Sequence, residues 1–486
     1  MNQNSKHFIV SLAVFFVVVS VGYFFNTYEV TPNFGGLLTG SVKMIADGRG
    51  RTGDGWVRRK STTLSPAPIP TPTPAPTSTP APLPAPIVAA ATTSTTVASP
   101  TPTSTTTTPA VISTITSGSA ATPVPPSPTP APAPSPASPV VAASYPQTKN
   151  YGISTGNTLV WMSSADLNQE LDDIAHLGFG WVRFDMAWVD VQGTSSKSYN
   201  WTNMDRIVAA MHARNLQMLP ILAYTPAWAR MQQCNLSEKC APQDPAAYAE
   251  FARQAVRRYA SQGVHQWEIW NEPNLTQFYQ PAPDAVQYTA MLKASYAAIK
   301  AEDPSAVVIS GGLSPLDGYS TSINSVTFLD QMYKAGAATS FDAVAMHPYS
   351  YPVPASYVAP WNAWTQLGWT TPNVRGTMDK YGDTGKQIWL TEYGSPTGGP
   401  GAVASVSMYN FNMSPDHVDE ALQSTIVQDA FTARSTLGNA GPLFWYSYKD
   451  LGTSNVTNEN FFGLLHNDGT PKPAYNMFKT LLSTSK

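Results

Sequence analysis

The stretch Gln-Trp-Glu-Ile-Trp-Asn-Glu-Pro-Asn, residues 266–274, organises our interpretation of the whole chain. Its first half is rich in large residues that favour β-structure, and its second half is polar and turn-forming. A second stretch, Lys-Gln-Ile-Trp-Leu-Thr-Glu-Tyr-Gly at residues 386–394, repeats this pattern. We therefore predict two strands that each end at a glutamate, Glu272 in the first stretch and Glu392 in the second.

A barrel of parallel strands would bring these two glutamates together, because every strand delivers its carboxyl end to the same face. The sequence after residue 150 alternates short β-favouring runs with segments that have the apolar spacing of helices. The eight predicted strands begin near Tyr151, Trp181, Leu216, Val264, Val307, Phe341, Lys386 and Pro442. This repeat predicts an α/β fold, the (β/α)8 TIM barrel.

The composition divides the 486 residues into one predicted folded domain and a long extension before it. We assign residues 149–486 to the barrel. Residues 61–148 contain no charged residue and are dominated by Pro, Ala, Thr and Ser. Such a segment buries too little apolar surface to offset the entropy lost on ordering, so we predict a disordered linker there. Residues 26–60 form a short juxtamembrane segment.

The amino-terminal residues 1–25 carry a predicted membrane-targeting signal. Phe8 to Phe25 is an uninterrupted uncharged stretch that follows Lys6. It is either a retained signal anchor or a signal peptide cleaved near residues 20–22, and the sequence leaves both open. A positive charge before the stretch predicts that the amino end stays inside. We therefore expect the folded domain at the cell surface or secreted, with the linker as a spacer.

The two cysteines, Cys234 and Cys240, are separated by polar and turn-forming residues. This spacing allows a small disulfide loop, although two unrelated thiols are the alternative. A metal site would need further ligands nearby, and the sequence around the pair offers none. A disulfide predicts an oxidising compartment, in agreement with export. We expect neither a metal nor a cofactor in this protein.

The charge distribution bears on the partners. The formal net charge is -3 at pH 7, without long like-charge runs in the predicted domain. Nothing in it proposes a nucleic-acid partner. We expect a monomer that contacts a polysaccharide or oligosaccharide, and a membrane only through the amino-terminal segment if that is retained.

Polar and aromatic residues cluster where the predicted strands end. A sugar presents hydroxyl groups around its ring and apolar C–H faces above and below, so it is held by polar groups together with aromatic platforms. Suitable residues at strand ends are Arg183, Asn271, His347, Tyr349 and Trp445, and those in adjoining loops are Trp188, Tyr224 and Trp228. For each aromatic residue, packing in the core or a lid is the alternative.

Four motifs together resemble clan A glycoside hydrolases, above all family 39-like and cellulase-like bacterial members. They are Trp-Glu-Ile-Trp-Asn-Glu-Pro-Asn at 267–274, Ala-Met-His-Pro-Tyr at 345–349, Leu-Thr-Glu-Tyr-Gly at 390–394 and Phe-Trp-Tyr at 444–446. The resemblance covers roughly residues 150–486. Family 39 xylosidases usually carry an accessory β-domain, for which little sequence remains here, so we expect an open groove that acts within chains.

The resemblance also implies roles for individual residues. Glu272 corresponds to the acid/base and Glu392 to the nucleophile of a retaining mechanism. Asn271 is implied to contact the sugar 2-hydroxyl. His347 and Tyr349 would line the site, and Trp445 would form the floor beneath the sugar that precedes the cleaved bond.

The chemistry of retention gives an independent reason for a pair of carboxyl groups. One must protonate the leaving oxygen while the other, about 5 to 5.5 Å away, attacks the anomeric carbon. We therefore predict a retaining β-glycosidase, endo-acting on a cell-surface or extracellular polysaccharide. Two alternatives remain, a transglycosylase that remodels wall or exopolysaccharide and a non-catalytic carbohydrate-binding barrel. The sequence does not name the polysaccharide or its linkage.

Overall fold

The computed structural model describes residues 148–484 apart from residues 235, 316–319 and 407–415. The predicted signal segment (residues 1–25), the segment 26–60 and residues 61–147 of the predicted linker lie outside the described residues. The first strand begins at Thr148, one residue before the predicted start of the domain. Among the helices that the structure describes, none combines the length and the apolar character needed to cross a membrane.

Eight parallel strands form the centre of the fold, as predicted. They are β1 (Thr148–Ser154), β2 (Phe179–Ala187), β3 (Gln217–Ala223), β4 (Gln266–Asn271), β5 (Val307–Gly312), β6 (Ala343–Met346), β7 (Gln387–Tyr393) and β10 (Ala440–Tyr446). They close into a barrel in the order β1-β10-β7-β6-β5-β4-β3-β2. Between β7 and β10 lies a small parallel pair, β8 (Val403–Ala404) and β9 (His417–Val418). The barrel confirms the predicted fold class.

Helices alternate with the strands along the chain. They are α1 (Thr158–Trp161), α2 (Ser164–Leu177), α3 (Trp188–Val191), α4 (Thr202–His212), α5 (Pro245–Tyr259), α6 (Ala285–Glu302), α7 (Ser325–Lys334), α8 (Ala363–Gly368), α9 (Val374–Lys380), α10 (Glu420–Thr436) and α11 (Pro473–Thr484). Their apolar faces are buried, as Leu167, Leu171 and Ile174 of α2 illustrate.

Short local signals set where these helices begin and end. Helix α5 begins after Asp244, whose side chain accepts a hydrogen bond from the Ala246 backbone N–H. Helix α2 ends at Gly178, which adopts a left-handed conformation with φ of 102°. A residue with a Cβ is disfavoured there, so glycine lets the chain turn directly into strand β2.

The barrel interior has an apolar half and a polar half. Inward-facing side chains near the amino ends of the strands form a cluster of seven buried residues: Trp181, Leu219, Ile309, Ala343, Ala345, Trp389 and Phe444. Nearer the carboxyl ends the inward-facing residues are charged, including Arg183 and Glu268, both with no exposed side-chain surface. The apolar half fills the barrel near the amino ends of the strands. The charged groups of the interior are therefore accessible only from the carboxyl-end face.

Candidate active site

Arg183 lies at the centre of a buried network at this face. Its Nε and Nη2 atoms donate hydrogen bonds of 2.7 and 2.9 Å to the two carboxylate oxygens of Glu268. Nη1 donates to Glu392 and to Oγ of Ser154, the second at 3.1 Å. Nη2 also donates to Oδ1 of Asn271 at 2.9 Å. The guanidinium therefore joins strands β1, β2, β4 and β7, and it neutralises Glu268, which the chain buries completely.

Glu272 is held beside His347. A ring nitrogen of His347, Nδ1, lies 2.9 Å from Oε1 of Glu272, and the other, Nε2, lies 3.2 Å from Nη2 of Arg183. His347 reaches this position because Gly312 lacks a side chain: a Cβ there would overlap the imidazole ring. Trp270 and Glu272 adopt left-handed backbone conformations, with φ of 72° and 46°. Such conformations cost about 1 to 3 kcal/mol each and concentrate at functional sites.

Glu392 has a different set of partners. The phenol of Tyr349 donates a hydrogen bond of 2.8 Å to Oε2, and Arg183 donates to Oε1. Burial by itself would raise the pKa of Glu392, but the electrostatic effects of His347 and Arg183 and the hydrogen bond from Tyr349 outweigh it. The net result is a pKa below the usual value, so the carboxylate form of Glu392 is favoured.

The two glutamates are close enough for a retaining reaction. A carboxylate oxygen of Glu272, a ring nitrogen of His347 and a carboxylate oxygen of Glu392 all lie within 4.8 Å of one another. Retaining glycosidases hold their carboxyl groups about 5 to 5.5 Å apart, and inverting enzymes about 6.5 to 9.5 Å. Three such groups could also ligate a metal ion, and the absence of a metal stays a prediction.

Tyr224 borders the site from the loop after β3. Burial and then the negative charges of Asp185, Glu272 and Glu392 raise the pKa of its phenol well above the usual value. The Lys239 ammonium lies 5.6 Å from the centre of the Tyr224 ring. Tyr224 therefore lies within the electrostatic reach of both glutamates, and its contact with a sugar stays a prediction.

The predicted disulfide is confirmed. Cys234 and Cys240 are bonded, with Cα atoms 5.4 Å apart. The closed loop contains Lys239, whose ammonium also lies 4.5 Å from the centre of the Phe278 ring. The bond therefore anchors a loop that brings a cation to the border of the site. The sequence analysis did not anticipate this role for the loop.

The placement of Trp445 as the floor of the site is corrected by the structure. Trp445 is only 1% exposed, and its ring packs against Phe478 of α11 at a centroid distance of 5.5 Å. Side chains alternate along a strand, and Phe444 faces the barrel interior, so Trp445 faces the helices and Tyr446 faces inward. Burial, followed by the charges of Glu459 and Glu392, raises the pKa of Tyr446 well above the usual value. Tyr446 is thus the aromatic residue of β10 that borders the site.

The two loop tryptophans, Trp188 and Trp228, differ in exposure. Trp188 is fully buried, which is the core packing that the sequence left as its alternative. Trp228 is 38% exposed and donates a hydrogen bond of 2.8 Å to the Gln192 carbonyl, with its ring edge-on to Trp188. These contacts leave Trp228 outside the cluster around the glutamates, so a sugar contact for it stays a prediction.

Glu459 was not anticipated from the sequence. It belongs to the 3-10 turn Asn458–Phe461, accepts a hydrogen bond from Tyr446 at 3.5 Å and lies within reach of the negative charges of both glutamates. It lies in an irregular loop, where no periodic pattern marks it.

A parallel barrel that holds two carboxyl groups this close at its carboxyl-end face has the geometry that retaining glycoside hydrolases use. Residues 141–417, more than half of the chain, match the family described as Cellulase (glycosyl hydrolase family 5). The chain therefore belongs to this family. This confirms the predicted resemblance to clan A glycoside hydrolases.

The chain also resembles individual proteins, at low sequence identity. The chain is 25% identical over 321 residues to a β-xylosidase of Caldicellulosiruptor saccharolyticus, an alignment that covers 62% of this chain and 60% of that protein. A family 39 glycoside hydrolase from Bacteroides cellulosilyticus WH2 matches with a TM-score of 0.52 and 22% identity, over 69% of this chain and 64% of that one. A family 39 β-xylosidase from Caulobacter crescentus matches with a TM-score of 0.50 and 22% identity, over 71% and 73%. The two structures support the fold. The chain spans about 60% of the length of the first relative.

Proposed function

We propose that this protein is a retaining, endo-acting β-glycosidase that cleaves a cell-surface or extracellular polysaccharide. Glu272 serves as the acid/base and Glu392 as the nucleophile. The observation that carries the proposal is the pair of carboxyl groups within 4.8 Å whose environments differ.

The different environments support the two roles. Arg183 and Tyr349 donate hydrogen bonds to Glu392, which favour its ionised form, and a nucleophile must be ionised. Glu272 receives neither contact and has His347 as its neighbour at 2.9 Å. Since Glu392 is the nucleophile, Glu272 is the carboxyl group that supplies the proton to the leaving oxygen.

The reaction then proceeds in two steps. Glu392 attacks the anomeric carbon while Glu272 gives its proton to the departing oxygen, which leaves a glycosyl ester on Glu392. Glu272, now ionised, takes a proton from water, and that water attacks the anomeric carbon and releases Glu392. The configuration is inverted twice and is therefore retained.

Exposed aromatic residues on the face that carries the site support action on long chains. Trp161 follows β1, Trp228 follows β3 and Trp361 follows β6, with exposures of 69%, 38% and 55%. Loops that follow barrel strands lie at the carboxyl-end face. Aromatic rings there offer platforms for sugar rings beyond the cleaved bond.

The β-linkage and the location rest on separate observations. The relative from Caldicellulosiruptor saccharolyticus is named a β-xylosidase, which favours a β-linked substrate here. The disulfide between Cys234 and Cys240 favours an oxidising compartment, in agreement with the apolar stretch near the amino terminus.

The test is hydrolysis of a panel of β-linked polysaccharides by the full-length protein, with product sizes followed over time. An endo-acting hydrolase gives a rapid fall in polymer length and a ladder of short oligosaccharides. Monosaccharide alone from the first time point would contradict endo action. Products longer than the starting oligosaccharide would instead indicate a transglycosylase, and binding without any product would indicate a carbohydrate-binding barrel.

A further inference from the structure

Asp185 is a buried carboxylate that opens into the same site. It lies on β2 two residues after Arg183, so both side chains face the barrel interior. Asp185 is 8% exposed. Its surroundings are those of the site, because the charges of Arg183, Glu392 and Lys239 all act on it.

Within the described part of the chain, the Asp185 carboxylate takes part in no hydrogen bond or ion pair. Only its backbone N–H is engaged, at 2.9 Å from the Gly156 carbonyl. The neighbouring Arg183 has five N–H donors, and these are directed at other acceptors. Those acceptors are Ser154, Glu268, Asn271 and Glu392.

An unpartnered carboxylate in such a place destabilises the fold. Burial of a polar group without a hydrogen bond is unfavourable, and burial of a charge is more so. Consistent with this, burial raises the pKa of Asp185 to about 7, against the opposing effect of Arg183. A residue that weakens the fold and lies beside the reacting groups needs a functional reason.

We propose that Asp185 binds the substrate, by accepting hydrogen bonds from hydroxyl groups of the sugar whose anomeric carbon lies over Glu392. This rests on the proposed function and extends it to the substrate class. A carboxylate with two free oxygens recognises a neutral sugar residue that presents hydroxyl groups on the Asp185 side. An acidic sugar whose carboxylate pointed to the same side would be repelled.

A structural role for Asp185 makes the opposite prediction for stability. If Asp185 stabilised the fold through Arg183, Asp185→Asn would lower the free energy of unfolding. If Asp185 serves the substrate, the same change removes an unfavourable buried charge. The unfolding midpoint of Asp185→Asn at pH 8.5, where Asp185 is ionised, is then equal to or higher than that of the parent protein. A lower midpoint overturns the proposal.

The direct test is a thermodynamic cycle in which the Asp185 side chain, one hydroxyl group of the substrate, or both are removed. The full-length protein and Asp185→Ala are assayed on whichever 4-nitrophenyl β-glycoside the parent hydrolyses, and on its monodeoxy analogues. The parent loses about 10- to 100-fold in kcat/KM on the analogue that lacks the contacted hydroxyl. Asp185→Ala loses a similar factor on the complete sugar and little more on that analogue. Equal sensitivity of both proteins to every deoxygenation overturns the proposal.

Controls separate this inference from the function on which it rests. Glu250→Ala removes an exposed carboxylate on α5 and leaves kcat/KM within about twofold. If Asp185→Ala does not fold, Asp185→Asn takes its place in the cycle.

If the parent hydrolyses no β-glycoside, the proposed function fails. The inference is then decided by saturation-transfer NMR with xylose, glucose, galactose and mannose. Binding that Asp185→Asn abolishes supports it, whereas unchanged binding or no binding overturns it.

Discussion

The phenol of Tyr349 donates a hydrogen bond of 2.8 Å to Oε2 of Glu392. This contact lowers the pKa of Glu392, against the opposing effect of burial. A tyrosine that follows β6 thus adds to the effects of His347 and Arg183, which also favour the ionised form of this glutamate on β7.

We expect Tyr349→Phe to move the acidic limb of the kcat/KM profile to higher pH. The pKa of Glu392 is held below its usual value, so the active carboxylate persists to low pH and is lost as pH falls through that pKa. Without the hydroxyl the carboxylate is protonated at higher pH. Activity at the optimum falls about 10- to 100-fold, since a hydrogen bond to a charged group is lost. Profiles of both proteins measure this, and an unmoved acidic limb would contradict the assigned contact.

Arg183 should be essential to the fold as well as to the site. Arg183→Ala leaves Glu268 buried without its cation, and breaking a buried ion pair costs about 3 to 5 kcal/mol. Arg258→Ala is the matched control, because the side chains of its pair with Asp205 are 42% and 41% exposed and the loss should be much smaller. Urea unfolding of both variants measures the difference. Equal losses would show that the buried network does not stabilise the barrel.

The two aromatic residues at the end of β10 should separate stability from activity. Trp445→Ala leaves a cavity against Phe478 and destabilises the protein by about 3 to 5 kcal/mol, with kcat/KM of the folded fraction nearly unchanged. Tyr446→Ala lowers kcat/KM at least about tenfold with a smaller loss of stability. Unfolding curves and kinetics on both variants test this pair. The reverse pattern would restore Trp445 as the sugar platform.

Glu170 on α2 should make stability depend on pH. Burial raises its pKa to about 7, only partly opposed by Lys449. The folded state therefore holds a proton that the unfolded state releases near pH 4, so this group's contribution to stability falls as pH rises from about 4 to 7. Glu170→Gln removes the effect, and its stability relative to the parent protein should rise by up to about 3 kcal/mol between pH 4 and 8. A pH-independent difference would contradict the raised pKa.

The sequence predicted the barrel well because its signals are local. The runs that end at Glu272 and Glu392 combine β-favouring residues with turn residues, and both proved to be strands of one closed barrel. Helix α7 buries Val326, Leu329 and Tyr333, which have the apolar spacing that predicts a helix. Such patterns depend on burial along a single element, which the sequence records directly.

The site was harder to predict where the role of a residue depends on the direction of its side chain or on the conformation of a loop. Trp445 was assigned by its place at a strand end, although alternation from an inward-facing Phe444 would have favoured Tyr446. Glu459 reaches the site from a 3-10 turn, and Lys239 does so through a loop closed by a disulfide. These positions arise from tertiary contacts, for which the sequence has no periodic signal.

The proposed mechanism depends on the roles assigned to Glu272 and Glu392, and azide rescue tests these roles most directly. Azide can occupy the space left when either glutamate is replaced by Ala. For Glu392→Ala, azide should attack an activated β-glycoside from the vacated side and give the α-glycosyl azide. For Glu272→Ala, the glycosyl-enzyme still forms on Glu392 and azide opens it to the β-glycosyl azide. NMR of the products distinguishes the two anomers. The predicted result is α from Glu392→Ala and β from Glu272→Ala, and the exchanged pattern, or no rescue in two folded variants, would contradict the account.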